Sequence, residues 1–304
     1  MSLQPAPEAG PAHRSGRVAL VGRPNVGKST LLNRLVGSRI SITSNRPQTT
    51  RQRVTGIVTR ADAQIVFVDT PGFQTEHRSA LNRAMNRGVA AGLQDVDGVV
   101  WLVEALKYDQ RDEVVADLLA GSAPVILAIN KTDAVRDRKL LLPFIARLSG
   151  LREFEAIIPV SATKGWQLTE LLDAIMQLLP EGPLLHGEDD ITTVSERFLA
   201  AELLREKLFR LLGEELPYAS TVEIDLFKQD GDLRRIHASI VVDKKGQKPI
   251  VIGKGGKQLK AIATQARRDM ERLFGGKVFL EVWVKVKRGW AESEAALKRM
   301  GFDA

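Results

Sequence analysis

The sequence predicts a two-domain chain: an α/β unit with a mostly parallel sheet, followed by a small α+β unit. Three observations predict it. From Arg17 to about Leu179, short β-branched runs alternate with longer amphipathic ones. The stretch PEGPLLHGEDDITT at 180–193, rich in Pro, Gly and acids, then breaks that pattern. Beyond it the elements read α-β-β-α-α-β. In the first unit the strand candidates are Val18–Val21, Val54–Arg60, Ile65–Asp69, Gly98–Val103, Pro124–Asn130 and Ala156–Val160. Several are apolar without alternation, as strands covered on both faces should be. Helices are expected near 28–37, 79–94, 110–120, 137–149 and 167–179, the last stopped by Pro180.

In the second unit, Ser195–Leu212 carries apolar residues at helical spacing, and Gly213 follows as a stop. Ser220–Phe227 and Arg235–Asp243 read as strands, Ile250–Ile252 as a short apolar segment, and a helix to about Phe274 precedes a strand at Val278–Val286. The expected organisation is a disordered leader over 1–16, a first domain over 17–180, a linker over 181–194 and a second domain over 195–304 that ends in a helix.

The chain of 304 residues carries a formal net charge of +7, unevenly spread. Residues 1–182 sum to +4, 183–243 to −6, 244–288 to +10 and 289–304 to −1. A single 45-residue stretch therefore holds more than the whole excess. There is no cysteine, which excludes disulfides, thiolate zinc, iron–sulfur clusters and Cys nucleophiles. His13, His77, His186 and His237 are too scattered for metal-ligand spacing. No apolar run approaches the ~18 residues of a membrane span, the first residues lack a signal-peptide core, and the expected compartment is the cytoplasm.

Directly after the first strand stands Gly22-Arg23-Pro24-Asn25-Val26-Gly27-Lys28-Ser29, matching G-x-x-x-x-G-K-[ST], and Thr30 continues into a helical pattern. Such a loop turns successive backbone N–H groups toward phosphate oxygens at the positive end of a helix. Lys28 is expected to reach the β- and γ-phosphates and Ser29 to place its hydroxyl on Mg²⁺. At the end of the fifth strand lies Asn130-Lys131-Thr132-Asp133, and at the end of the sixth Val160-Ser161-Ala162. A carboxylate accepts hydrogen bonds and cannot donate them, so Asp133 suits the N1–H and N2–H₂ donors of guanine and repels the acceptor N1 of adenine. Asn130 either bonds the purine edge or ties the loops together, the Lys131 stem lies against the base, and the Ala162 N–H is expected to donate to guanine O6.

Asp69-Thr70-Pro71-Gly72 ends the third strand. Asp69 is expected to hold Mg²⁺ through water, and the Gly72 N–H to sense the γ-phosphate. Between the first helix and second strand, Gln48-Thr49-Thr50-Arg51 offers a threonine as a further Mg²⁺ ligand, Thr50 slightly favoured over Thr49. Lys28, Thr50 and Gly72 are thus the catalytic candidates, on a pair of switches that order on the triphosphate and relax after hydrolysis.

The basic stretch contains Ile252-Gly253-Lys254-Gly255-Gly256-Lys257, which fits the G-x-x-G loop of a KH domain. Glycines let such a loop lie along a sugar–phosphate backbone, while Lys254, Lys257 and Lys260 neutralise phosphates. Ile250, Val251, Ile252, Leu259 and Ile262 are the expected groove floor. Lys285, Lys287 and Arg288 extend the charged rim beside Trp283 and Trp290, read as core anchors rather than base-stacking platforms.

These motifs resemble the translation-factor-related GTPases, and the fused carboxy-terminal domain narrows the resemblance to the Era family. GRPNVGKST, ISITSNRPQTTR, DTPG, NKTD, VSA, LPYASTVEI, VIGKGG and WVKVKRGW carry it from about Arg17 to Gly301. The resemblance implies a P-loop GTPase domain followed by a KH domain. It implies a GTP-hydrolysing switch that binds the 3′ end of small-subunit (16S) ribosomal RNA and assists small-subunit maturation, and it permits a loose association with the membrane; a monomer is expected. Position 73 is Phe, where Ras-type enzymes carry the Gln that orients water, and Gln74 lies one residue on. Asn25 resembles the residue that ligates a monovalent cation in potassium-stimulated relatives, making K⁺ a candidate activator. Three other readings stand beside this one: an RNA-binding module with a vestigial nucleotide fold, a tRNA-modification GTPase, which usually brings a catalytic cysteine, and a peripheral membrane switch. The complete guanine and phosphate motifs argue against the first, the absence of cysteine against the second, and no amphipathic anchor demands the third.

Overall fold

The structure, a computed structural model, describes residues 13–299 apart from 45, 47, 48, 73–78 and 214. The first domain is a six-stranded sheet in the order β2-β3-β1-β4-β5-β6, formed by β1 (Arg14–Val21), β2 (Val54–Thr59), β3 (Ala63–Asp69), β4 (Gly98–Glu104), β5 (Val125–Asn130) and β6 (Ala156–Pro159). All pairs are parallel except the β2–β3 hairpin. Residues of opposite parity on each central strand enter two different cores. Val18 and Leu20 of β1 face α1 (Lys28–Val36) and α5 (Leu168–Leu178), whereas Ala19 and Val21 face α3 (Gln110–Leu118) and α4 (Leu141–Ser149). This explains the continuous apolar runs of β4 and β5, which are buried on both faces. α2 (Ala80–Gly92) starts where the Ser79 side chain accepts the Asn82 N–H, and α3 at a reciprocal Asp109–Asp112 capping box.

The second domain pairs β7 (Ser220–Asp230) antiparallel and β9 (Lys277–Val286) parallel to the central β8 (Leu233–Val242). α6 (Glu196–Leu211), α7 (Gln247–Ile252) and α8 (Lys257–Phe274) cover one sheet face and share a core with Ile236, Ala238 and Ile240. α6 is capped by Ser195, which accepts the Phe198 N–H. A last helix, α9 (Glu294–Arg299), places Leu297 beside Trp290 and α2.

Two expected boundaries move. Arg14–Gly16, assigned to the leader, belong to β1, because their register continues along β3 from Arg14↔Ala63 to Gly16↔Ile65; residues 1–12 lie outside the described residues. The segment 181–194 is a strap rather than a free linker. Its backbone crosses from the start of β1 past β3 to the edge strand β2: the Gly182 N–H donates to the His13 carbonyl, Gln64 Oε1 accepts from the N–H groups of Leu185 and His186 at 2.8 Å each, and the Ile57 N–H donates to the Ile191 carbonyl. An edge strand offers unpaired N–H groups, and the strap satisfies one of them at Ile57. Among the described residues no helix is long and apolar enough to cross a membrane.

Candidate functional site

At the carboxyl ends of β1, β3 and β5 a cleft of about 530 Å³ is lined by the phosphate loop, residues 42–44, Thr49, Thr50, Gly72, Asn130, Lys131 and Asp133. The backbone dictates its shape. Gly27 has φ +108°, and a Cβ there would stand 2.3 Å from Asn130 Nδ2, so only glycine permits this close approach. Lys28 begins α1 and curls back over the loop, its ammonium donating to the carbonyls of Gly22 at 2.8 Å and Arg23 at 3.1 Å. Burial pulls this ammonium down to about 8, with the Asp69 carboxylate pulling the other way.

Ser29, Ser41, Thr50 and Asp69 form one knot. Asp69 Oδ2 accepts from Ser29 Oγ at 2.7 Å and from Ser41 Oγ at 2.9 Å, and the Ser29 and Thr50 hydroxyls are 2.8 Å apart. Asp69 Oδ1 is buried and has no hydrogen-bond partner among the described residues, and burial pushes this carboxyl up. The two adjacent threonines part company. Thr50 turns its hydroxyl to Ser29, whereas the Thr49 hydroxyl bonds Ser44 Oγ at 2.6 Å and the Arg46 carbonyl at 2.7 Å.

On the base side, Asn130 ties the loops together: its Nδ2 donates to the Val26 carbonyl at 2.9 Å, and its Oδ1 accepts the Ala162 N–H at 3.0 Å. That N–H, assigned to guanine O6 from the sequence, is engaged by Asn130 in this structure. Asp133 is exposed in the cleft and accepts from Ser161 Oγ at 2.5 Å, which in turn accepts the Lys164 N–H. Lys131 pairs with Glu104 at 2.8 Å.

Other candidates serve the scaffold. The Arg23 side chain, 7% exposed, leaves the cleft for Asp112 and Glu104 at 3.1 and 3.4 Å. Val26 is buried in the core, and Thr70 Oγ1 donates to the Leu20 carbonyl at 2.8 Å, joining β3 to β1. Pro24 and Thr30 line the cleft, and Gly72 packs so closely on Pro24 that a Cβ would come within 2.8 Å of its ring. Pro71 lines a separate depression beside α2. Phe73, Gln74 and Gln48 lie outside the described residues. Sequence reasoning missed Glu104, which collects Arg23, Lys107 and Lys131 at the end of β4. Burial works against its charge, yet hydrogen bonds from Lys107 and Lys131 hold its carboxyl below the usual range. The available signal was an acid closing the apolar run GVVWLVE.

In the second domain, Gly253, Gly255 and Gly256 have φ of +72°, +60° and +76°; Gly255 and Gly256 are left-handed, Gly253 is extended at ψ 171°, and these positive φ values join α7 to α8 in so few residues. Lys254, Lys257 and Lys260 are exposed and have no carboxylate partner among the described residues. The expected groove floor splits: Val251 and Ile262 are fully buried in the core, because helical α7 and α8 turn them toward the sheet, Ile252 and Leu259 are half-buried against that core, and only Ile250 of the five is exposed. The rim changes too. Lys285 is bound by Asp225 at 3.1 Å and Lys287 by Glu223 at 2.6 Å, across the sheet, while Arg288 is exposed. Trp290 is buried at 2% exposure and donates to the Ala219 carbonyl, but Trp283 is 43% exposed and no core anchor.

Three arginines of the 38–53 stretch reach the second domain. Arg39 pairs with Glu206 and Asp269, Arg46 donates to the Leu212 and Gly213 carbonyls, and Arg51 donates to those of Pro217, Tyr218 and Ser220. From α6, Arg205 answers to the Thr49 carbonyl.

Residues 17–131 match a family model described as 50S ribosome-binding GTPase, and 215–291 match the KH domain. The chain is 54% identical to the GTPase Era of Nitrosomonas eutropha over 96% of its own length and 98% of that protein's. It is 56% identical to that of Chromobacterium violaceum, over 95% and 97%. Two solved structures superpose with a TM-score of 0.92 at 38% identity, covering 96% of this chain and all of theirs: an Aquifex aeolicus Era variant bound to GDP.AlF4-, and an Era in complex with MgGDPNP and nucleotides 1506–1542 of 16S ribosomal RNA. With both domains matched and over half of all residues shared, this chain is a GTP-hydrolysing enzyme and belongs to the Era family.

Proposed function

We propose that the chain is a guanine-nucleotide switch whose KH domain binds the 3′ end of small-subunit (16S) ribosomal RNA and assists maturation of the small ribosomal subunit. One observation carries this reading: a guanine-type cleft and an exposed basic G-x-x-G loop share one chain, joined by the arginines of the 38–53 segment. The relative solved with MgGDPNP and 16S nucleotides supports it, being similar across both domains.

The oxygen atoms around Asp69 fit Mg²⁺ by their own chemistry. Hard oxygen donors suit that ion, and Asp69, whose Oδ1 has no partner among the described residues, accepts through Oδ2 from the Ser29 hydroxyl that pairs with Thr50. These three residues would hold it, Asp69 through water, and when bound it neutralises charge on the β- and γ-phosphate oxygens. Lys28 exchanges its two loop carbonyls for the same oxygens. Gly72, braced on Pro24, offers its N–H to the γ-phosphate. Asp133 selects guanine by accepting its N1–H and N2–H₂. Asn25, at φ +64° in the loop, is the proposed K⁺ ligand, that ion supplying part of the charge an arginine finger supplies elsewhere. Equal hydrolysis rates in K⁺ and Na⁺ buffers would remove K⁺ from this reading.

Gating follows the contacts of the 38–53 segment. Arg46 holds the Leu212 carbonyl, and the neighbouring Leu211 carbonyl accepts from Gln258 Nε2 at 2.7 Å, directly after the G-x-x-G loop. Relaxation of this segment after hydrolysis thereby reaches the start of α8. The reading includes a monomer in the cytoplasm, with any hold on a membrane surface resting on the same basic face. Crosslinking to assembling subunits with GDP or a GTP analogue tests it. Contacts at the 3′ end of the small-subunit RNA, stronger with the analogue, are expected; crosslinks that avoid that end overturn the RNA assignment.

A further inference from the structure

The outer face of the KH sheet is left open over most of its length. α6, α7 and α8 cover the inner face, and outward residues alternate with those they bury. A bulge between Ile224 and Leu226 resets the alternation of β7, so Leu226 comes to lie opposite His237 and Lys228 opposite Arg235. On the adjoining β9, Phe279 and Trp283 are each 43% exposed. The His237 ring sits between them, 6.4 Å and 5.5 Å from their centroids, and Arg235 stacks on Phe279 at 5.1 Å. Three rings and a guanidinium thus form one surface patch about 13 Å long, at ~3.3 Å per strand residue.

Charge decides what such a patch suits. Two of its carboxylates are engaged, Glu223 by Lys287 and Asp225 by Lys285, while Glu281 lies between Phe279 and Trp283 on the same strand, 3.5 Å from the His237 ring. Among the described residues Lys228, Arg235 and Lys277 have no carboxylate partner, so the rim is cationic. Exposed aromatic rings on an open sheet with a cationic rim match the stacked bases and phosphates of single-stranded RNA. Position agrees. β9 is the edge strand of its sheet, and α7, the helix that ends in the G-x-x-G loop, packs against it.

We propose that this open face, centred on Phe279, His237 and Trp283, is a second RNA surface that stacks bases of a strand continuing from the G-x-x-G loop around the edge of β9. It rests on the RNA reading of that loop, and the experiment separates the two. Fluorescein-labelled RNAs of randomised sequence, about 5 and about 14 nucleotides long, are titrated with the full chain in the presence of a GTP analogue, a KH loop clamping about four nucleotides. Phe279→Ala and Trp283→Ala are each expected to weaken the longer RNA about tenfold, the worth of one stacked base, and to leave the shorter unchanged. Trp283→Phe retains most of the affinity. Denaturant unfolding followed by a probe in the KH domain reports that each variant folds, and hydrolysis of GTP without RNA, at a site these exposed rings do not touch, stays unchanged. Unchanged affinity for the longer RNA overturns the proposal, as does equal loss for both lengths. Altered self-association in sedimentation with unaltered RNA binding assigns the patch to protein contact and overturns it as well. If the wild-type chain binds both lengths equally, the sheet proposal alone fails; if it binds neither, the reading of the loop fails with it.

Discussion

The phosphate loop and the G-x-x-G loop both turn on glycines at positive φ and both carry lysines, yet they hold charge in opposite ways. Lys28 and Arg23 are 6% and 7% exposed, bound by carbonyls and carboxylates of the fold. Lys254, Lys257 and Lys260 stand in solvent without a carboxylate partner among the described residues. In the first site a low local dielectric makes each charge strong and its placement decisive. In the second, the charges act as a field that salt screens within about 10 Å at 0.1 M. In the proposed function the first site discriminates by geometry, and the second gathers a polyanion and leaves discrimination to its apolar surface.

The largest effect should come from the buried site. Lys28→Ala removes the one ammonium inside the loop and is expected to lower the rate of GTP hydrolysis by about 10²–10³-fold in single-turnover phosphate release. A loss below tenfold would break the contrast. Arg51 is a buried cation of the same kind placed between the domains. Burial, with Arg205 close by, pulls its guanidinium down to about 9, and it stacks between Phe209 and Trp290 while its N–H groups serve three carbonyls. Arg51→Met leaves those carbonyls unpaired and should cost about 2 kcal/mol, read from denaturant unfolding followed by a probe in each domain.

Salt tests the exposed site. With three lysines on phosphates, a slope of about 0.7 per contact predicts roughly a 20-fold loss of RNA affinity between 50 and 200 mM salt, with GTP affinity nearly constant. Lys254→Ala combined with Lys257→Ala should flatten that slope by about 1.4 in the same titration. Equal salt slopes for GTP and RNA would erase the distinction between the two loops. The smallest effect is expected at Lys285, already held by Asp225. Lys285→Ala should change RNA affinity less than about twofold, since an exposed ion pair contributes little beyond itself.

Much of the fold was legible because its signals are local. The apolar runs of β4 and β5, the glycine and lysine spacing of the phosphate loop and the turn into α1 each lie within a few residues of one another. The two boundaries that moved did so through partners far along the chain: β3 for Arg14–Gly16, and the edge of β2 for the 181–194 strap. The same holds within the sites. Thr49 and Thr50 are equivalent as letters, and only the return of the segment toward Ser29 distinguishes them. Arg23 belongs to the phosphate motif by position, but its side chain is claimed by Glu104 and Asp112.

By itself, then, the sequence determined where the chain turns on glycines with lysines beside them and which acid, Asp133, follows the fifth strand into the cleft, since each depends on residue type at short spacing. Tertiary structure alone decided which cations are spent on the fold. It tied Lys285 and Lys287 to β7, buried Trp290 against α2 and Arg51 while leaving Trp283 bare, and brought Arg39, Arg46 and Arg51 onto the second domain. Those pairings join positions up to 230 residues apart, from Arg39 to Asp269, and no local pattern of charge or hydrophobicity encodes a partner at that distance.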